Sequence, residues 1–433
     1  MKAMDSQPSI ERNRVRFIDR VRFQLGGGLI FCALGPIAAR TSIESSSFYL
    51  PATFNTAVLA TLAIIIGFAI FRNVKTFPGA VPSTFALSTF ATTFALAMIV
   101  PLILRIEYSW TQFLFHFAAT MTFYGLVERR SGTAISLRFA VIPGGTVKRL
   151  PDLPNVHWHR LARYDDAISN VHGVVADLDT DHSAGWDAAM TRYLLAGFPV
   201  YHWKQLIEQL CGTVEIEHLS ENHLGALNPN RLNIKMKTVI DFVLAAIALV
   251  VLSPIMLLIA LIIRLESPGP AIFKQERTGF RAKTITVYKF RTMRNDHLTE
   301  SGDAMARRLS AITQSNDSRI TRVGKFLRKT RLDELPQLFN VLKMEMSLIG
   351  PRPEAVSLTL WYEQELPFYH YRHIIKPGIT GWAQINQGHV ADIDDIKVKL
   401  AYDFYYVKYF SPWLDLLILV RTLVTAVTGR GAR

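Results

Sequence analysis

The chain has 433 residues, 50% of them hydrophobic and only 19% charged, which makes it too long for one ordinary domain and too apolar for a purely soluble protein. Its 48 Lys and Arg against 35 Asp and Glu give a formal charge of +13. That suits a partner carrying phosphates: nucleic acid, anionic lipid headgroups or a phosphorylated substrate. Two cysteines, Cys32 and Cys211, far apart in the chain, exclude a disulfide framework and a cysteine-rich metal site.

Four apolar runs fill the first third, at about residues 24–39, 55–71, 84–104 and 111–127. Each is near the roughly 20 residues needed to span hydrocarbon. Basic residues cluster before the first run (Arg12, Arg14, Arg16, Arg20, Arg22), between the second and third (Arg72, Lys75) and after the fourth (Arg129, Arg130). The intervening loops "TSIESSSFYLP" and "RIEYSW" are nearly free of them. The positive-inside rule therefore predicts a four-helix transmembrane bundle over 1–130 with both ends in the cytoplasm. A signal peptide is the alternative for the first run, but its glycine-rich core shows no cleavage site and three further runs follow.

From 131 to 225 short apolar stretches ("RFAVIPGG", "GVVADLD", "FPVYHW", "TVEIEHL") alternate with helix-like "SAGWDAAMTRYLLAG" and "WKQLIEQLCG". That alternation predicts a small, Rossmann-like α/β domain with a largely parallel sheet. "IPGG" takes the place of a nucleotide-binding turn, yet the G-x-G-x-x-G spacing is missing. A structural or regulatory module is expected rather than a cofactor site.

A polar linker, "ENHLGALNPNRLNIK" at 221–235, leads into the third part, 226–433. Its apolar run from Val239 to Ile263 carries Pro254 near the middle. Proline removes a backbone hydrogen bond and kinks a helix, and the hydroxyl of Ser253 can satisfy a freed carbonyl. A straight crossing would carry a strongly basic segment out of the cell. A helix over about 236–264, hinged at Ser253 and Pro254 and re-entering the same leaflet, removes that conflict; an ordinary kinked span is the alternative.

"ESPGPAIFKQERTGFRAKTITVYKFRTMRND" is dense in Lys and Arg with interleaved aromatics. Such a strip suits RNA, anionic lipid or a diphosphate, and no complete RNA-recognition motif is present. In "SRITRVGKFLRKTRLDELPQLFNVLKMEMSLIGPRPE", Asp333 and Glu334 lie within reach of Arg328, Lys329 and Arg331 and just before Leu335-Pro336. A helix break or start is expected there, followed by Leu335, Leu338, Phe339 and Leu342 on a buried face. Paired carboxylates at a helix entrance can be a mere cap. Beside so many guanidiniums they suit a site where Arg holds anionic oxygens, one carboxylate attacks phosphorus and the other binds a metal. Arg352, between two prolines, can take two phosphate oxygens with its planar fork. The apolar stripe of "SPWLDLLILVRTLVTAVTGRGAR" fits either an interfacial or a core helix.

In this order, "FKQERTG", "YKFRTM", "TRVGKFLRKTRLDELPQLFNVLK", "MSLIGPRPE" and "KPGITGWAQINQG" resemble the bacterial sugar transferase family, the polyprenyl-phosphate hexose-1-phosphate transferases. The resemblance covers about residues 233–430, and the earlier parts look like the extension of its longer members. One departure is Met344, where the family usually has a small residue. The resemblance implies a membrane α+β enzyme of the bacterial inner membrane, with a mostly helical catalytic domain facing the cytoplasm. It would transfer a hexose-1-phosphate from a UDP-sugar to undecaprenyl phosphate and release UMP, beginning exopolysaccharide, capsule or O-antigen synthesis. Carried over by position, Asp333 is the nucleophile of a covalent phosphosugar intermediate, Glu334 the Mg²⁺ ligand, and Arg328 and Arg352 hold phosphates. Lys289, Arg291 and Glu276 line the pocket.

The partners implied are UDP-sugar, undecaprenyl phosphate and membrane lipids, with no nucleic acid; the bundle and α/β domain could also support a homodimer. No residue pattern selects among glucose, galactose and amino sugars. A polytopic transporter would account for the apolar runs but not for charged motifs outside them, because transport sites place ionisable groups within the spans. A membrane-tethered RNA- or lipid-binding scaffold without activity is the remaining alternative.

Overall fold

The structure, a computed structural model, describes residues 20–43, 51–74, 82–131, 136–147, 150–214, 231–294, 319–387 and 392–428. Arg12, Arg14, Arg16, Lys75, most of the expected linker and Gly388 lie outside the described residues. The chain divides into two units, Met1–Gly212 and Thr213–Arg433. The expected transmembrane and α/β parts thus fall together in the first.

In the first unit, α1 (Val21–Gly28) passes through a π-helical turn, Leu29–Leu34, into α2 (Gly35–Ile43). Helices α3 (Pro51–Val74), α4 (Pro82–Leu104) and α5 (Trp110–Ser131) follow, so each of the four apolar runs lies in helical structure. Their contacts are aromatic: Phe71, Phe90 and Tyr124 are fully buried, and the Phe90 and Tyr124 rings stack 4.2 Å apart. Val21–Ser42 and Pro51–Arg72 are long and apolar enough to cross a membrane. The apolar part of α4 is shorter, Thr89–Leu102, and α5 buries Gln112, His116, Thr120 and Glu128, side chains that lower its apolar content.

Strands β1 (Leu137–Val141), β2 (Val156–Arg160), β3 (Gly173–Ala176) and β4 (Val200–His202) form a parallel sheet in the order β2-β1-β3-β4. Helices α6 (Ala184–Leu195) and α7 (Trp203–Cys211) complete it. All four residues of β3 are buried, the continuous apolar run expected of a strand covered on both faces. The α/β expectation is met, except that among the described residues no α-helix stands between β1 and β2, where a dinucleotide-binding fold would place one.

The second unit opens with α8 (Arg231–Glu266), which contains Pro254. A proline at 254 leaves the carbonyl of residue 250 without its helical donor, and the Ser253 hydroxyl donates to that Val250 oxygen at 2.9 Å. One stripe of α8 faces protein: buried Ala245, Met256, Ile259 and Ile263 and half-buried Leu249 and Leu252, at helical spacing, pack on Val287, Phe290, Leu327, Leu338 and Val341. Val239, Val243, Ile247, Val250, Val251, Leu257, Leu258, Leu261 and Leu265 face outward, the pattern of a helix with lipid on one side and protein on the other.

The antiparallel pair β5 (Ile272–Thr278) and β6 (Thr284–Phe290) follows. Next come α9 (Arg322–Thr330), a 3₁₀ helix over Leu332–Gln337, and α10 (Leu338–Leu342). The expected break near Pro336 is therefore a change of helix type. Because a 3₁₀ turn holds three residues rather than 3.6, the expected buried face loses phase: Leu338 and Val341 are buried while Phe339 is exposed.

Strands β7 (Ser347–Ile349) and β8 (Gly378–Thr380) pair in parallel. Helices α11 (Val356–Glu365), α12 (Trp382–Asn386), α13 (Ile393–Lys408) and α14 (Pro412–Thr428), with a 3₁₀ helix over Tyr369–Ile374, close the unit. Leu414, Leu417, Ile418 and Val420 of α14 are buried, so of the two readings of the C-terminal helix the core one holds.

Candidate active site

Asp333 and Glu334 sit in the first turn of the 3₁₀ helix, immediately after Arg331, whose φ of 58° ends α9. That left-handed residue turns the chain sharply enough to point both carboxylates inward. Both are buried, and their surroundings differ. Glu334 Oε1 accepts a hydrogen bond from Arg352 Nη2 at 2.8 Å, with Lys289 Nζ at 3.5 Å and Arg331 Nη1 at 3.7 Å. Asp333 Oδ1 has no protein hydrogen-bond partner.

The charge states follow from that difference. Burial would raise the Glu334 carboxyl, but Arg352, Lys289 and Arg331 outweigh it and hold it well below the usual range. Burial pushes Asp333 up, and the neighbouring Glu334 charge adds to this against the pull of Lys289 and Arg352. Burial and the Arg352 charge lower the Lys289 ammonium to about 7. Glu334 is thus a fixed anion, while Asp333 is a carboxylate whose charge is poorly matched by its surroundings.

Arg352 reaches Glu334 from the turn between β7 and α11. Lys289 comes from β6, on the same face as Arg277 by the alternation of the strands. Arg277 donates to Gln275 Oε1 and to the Pro353 carbonyl, at 2.5 Å for the latter. The sequence-predicted residues Asp333, Glu334, Lys289 and Arg352 therefore converge. Glu276 is exposed on the opposite face of β5.

Arg328 Nε donates to Thr292 Oγ1 at 2.9 Å. Arg291 spends its guanidinium on the end of α8, donating to the carbonyls of Ser267 (2.6 Å) and Pro268 (2.9 Å). Its part is to satisfy carbonyls left open at a helix C-terminus. Arg331 and Arg277, not among the predicted pocket residues, do belong to the cluster. Arg277 stands one position from Glu276 in "FKQERTG", where the parity of the strand was the missing signal.

Elsewhere, Asp177, Asp179 and His202 bring ligand-type atoms within 4.8 Å of one another. His202 Nδ1 accepts the Leu178 amide hydrogen at 3.2 Å, so in the neutral ring Nε2 carries the proton and is not free to ligate. Asp177 Oδ2 takes the Thr146 amide and hydroxyl, both at 2.8 Å. A carboxylate of the chain thus fills the place above "IPGG" where an anionic ligand would sit.

A family model described as bacterial sugar transferase matches residues 232–429. A UDP-N-acetylgalactosamine-undecaprenyl-phosphate N-acetylgalactosaminephosphotransferase of Aeromonas hydrophila is 39% identical over 437 residues, covering 98% of this chain and 100% of that protein. A UDP-glucose:undecaprenyl-phosphate glucose-1-phosphate transferase of Xanthomonas campestris pv. campestris is 41% identical, over 53% of this chain and 45% of its own length. One of the same name from Escherichia coli K12 is 42% identical, over 46% and 41% respectively.

Proposed function

The chain belongs to the bacterial sugar transferase family, and we propose that it transfers a sugar-1-phosphate from a UDP-sugar to undecaprenyl phosphate, releasing UMP, by way of a covalent aspartyl intermediate. The observation that carries this reading is the asymmetry of the dyad: a buried Asp333 oxygen without a protein partner beside a Glu334 ringed by three cations. A nucleophile should be free and a positioning anion tied.

Asp333 attacks the β-phosphorus, the bond to the UMP oxygen breaks, and the electron pair leaves with UMP. The phosphate oxygen of undecaprenyl phosphate then attacks the same phosphorus and returns the carboxylate. Two steps spare the site from holding a cytosolic nucleotide and a long lipid together. Arg352 and Lys289 neutralise phosphate oxygens, without which an anionic nucleophile would be repelled.

A magnesium ion fits the residues present. Glu334 would hold the ion through a hard carboxylate oxygen, with the unpartnered Asp333 oxygen beside it. Bound at Glu334 it would neutralise the diphosphate charge.

The four N-terminal helices are read as a transmembrane bundle of the inner membrane. The catalytic unit is read as held on the cytoplasmic face by α8 re-entering one leaflet, which puts the dyad at the level of the lipid phosphate. The relative that matches along the whole chain acts on UDP-N-acetylgalactosamine, so that donor is the first to assay, for a step in exopolysaccharide, capsule or O-antigen synthesis. Purified protein given UDP-sugars and undecaprenyl phosphate releases UMP, and donor labelled in the sugar phosphate leaves label on the protein. Asp333→Asn abolishes both; turnover in that variant removes Asp333 from its role.

A further inference from the structure

Behind the site lies a second charged cluster that the proposed chemistry does not touch. Arg372, in the 3₁₀ helix over Tyr369–Ile374, is 1% exposed, and Asp403 on α13 is 2% exposed. The guanidinium makes four hydrogen bonds: Nε and Nη2 to Asp403 Oδ2 at 3.0 and 2.7 Å, Nη1 to the Tyr369 hydroxyl at 2.9 Å, and Nη2 to the Arg352 carbonyl at 2.9 Å.

The last bond reaches the turn that carries the phosphate-binding arginine. Pro351 and Pro353 have no N–H with which to brace it, so its geometry is held through its carbonyls. Pro351 O accepts from the Gly378 amide at 2.9 Å, Arg352 O from Arg372, Pro353 O from Arg277, and Glu354 O from the Thr278 amide at 2.9 Å. Four consecutive carbonyls each meet a different donor, two of them guanidiniums. The Glu354 carboxylate is tied in turn to Lys399.

We propose that Arg372 is a positioning residue: gripped by Asp403 and Tyr369, it fixes the Pro351–Pro353 turn and so sets the reach of Arg352 to Glu334. The inference rests on the reading of Arg352 and Glu334 given above. A buried ion pair is a poor source of stability, because desolvating two charges consumes most of their attraction. A planar fork that joins a carboxylate, a hydroxyl and a carbonyl at fixed angles is a good source of geometry. Lysine carries the charge but not the fork. A displacement of about 1 Å at Arg352 suffices to lose up to about 100-fold in rate.

The test is a double-mutant cycle on full-length protein in nanodiscs, reading kcat and KM for UMP release. Arg372→Lys lowers kcat/KM about tenfold in the wild-type background. In an Arg352→Ala background the same change costs less than about twofold, because its direct route to the chemistry has gone. Equal losses in both backgrounds overturn the inference and leave Arg372 a residue of the general scaffold. An Arg352→Ala variant with full activity sinks the reading of Arg352 itself, a separate failure. Should Arg372→Lys not fold, Tyr369→Phe loosens the same guanidinium at constant shape. It is expected to cost about threefold in the wild type and nothing in Arg352→Ala, and equal costs again overturn the inference.

Discussion

Asp333→Asn makes the catalytic unit more stable while destroying its activity. Asp333 is 9% exposed, its Oδ1 lacks a protein partner, and the neighbouring Glu334 charge opposes its ionisation. A buried acceptor without a partner costs about 1–3 kcal/mol. Lys289 and Arg352 return part of this, and the raised pKa says that the balance still disfavours the anion. The sign follows from proton linkage. A carboxyl whose folded pKa exceeds its unfolded one binds more protons when folded, so stability falls as pH rises through that window and stays reduced above it. A neutral amide of the same shape removes the penalty at neutral pH. We expect a gain of about 1 kcal/mol, equivalent to about 2–4 °C in unfolding midpoint for a unit of this size, with the gap from wild type closing below pH 4. Thermal unfolding in nanodiscs at pH 7.5 and pH 4 measures it. An Asp333→Asn protein less stable than wild type at pH 7.5 would refute the argument that Asp333, the proposed nucleophile, is held in an unfavourable charge state.

The pH profile of kcat/KM should be bell-shaped. Its acid limb lies above the ordinary aspartate range, because Asp333, as the proposed nucleophile, must be ionised to attack and its pKa is raised. Its basic limb reflects Lys289, at about 7 in the free enzyme, losing the cation that faces Glu334. Lys289→Arg keeps the charge and should erase that limb, and a basic limb unchanged in the variant would assign it elsewhere. Met344 takes the left-handed conformation, φ 59°. A side chain costs roughly 1 kcal/mol there, and Met344 is 53% exposed, so it returns little by packing. Met344→Gly should raise stability by about 0.5–1 kcal/mol in denaturant unfolding with kcat unchanged, and a loss of stability would show that the methionine packs on something else.

The carboxylate pair, Arg352 and Lys289 were legible because they stand in dense local patterns where charge meets proline and aromatic residues. Which of several neighbouring arginines faces the site was not. Arg291 and Lys289 stand two apart in "YKFRTM", yet one closes the end of α8 and the other meets Glu334; the strand ends between them and the parity argument ends with it. Arg331 was placed near the dyad but not in the predicted pocket, because sequence spacing does not show which way a residue at a helix break points; its left-handed turn is what brings it to Glu334. Arg372 and Asp403 carry no local signal, since 31 residues separate them and only the folded packing makes them a pair.

Asp241, inside the apolar run, was the signal overlooked. It is buried, accepts the Ser347 hydroxyl at 2.6 Å and faces Lys237 at 3.4 Å; Lys237 in turn bonds Asp415 at 2.8 Å. At the other end of the run the Ile263 carbonyl meets Arg291 at 3.4 Å. From Asp241 to Ile263 a helix rises roughly 33 Å, about the thickness of the hydrocarbon layer. Both ends therefore touch the same catalytic unit, and the stripe between them packs on it throughout. A perpendicular crossing would drag Ser347, Asp415 and the basic strands β5 and β6 to membrane depth, at several kcal/mol for each unsatisfied polar group. On the re-entrant reading proposed above, a helix that dips into one leaflet beside its own domain avoids that cost. Pro254, with the Val250 carbonyl it frees answered by Ser253 on the outward face, would be the place where such a helix bends.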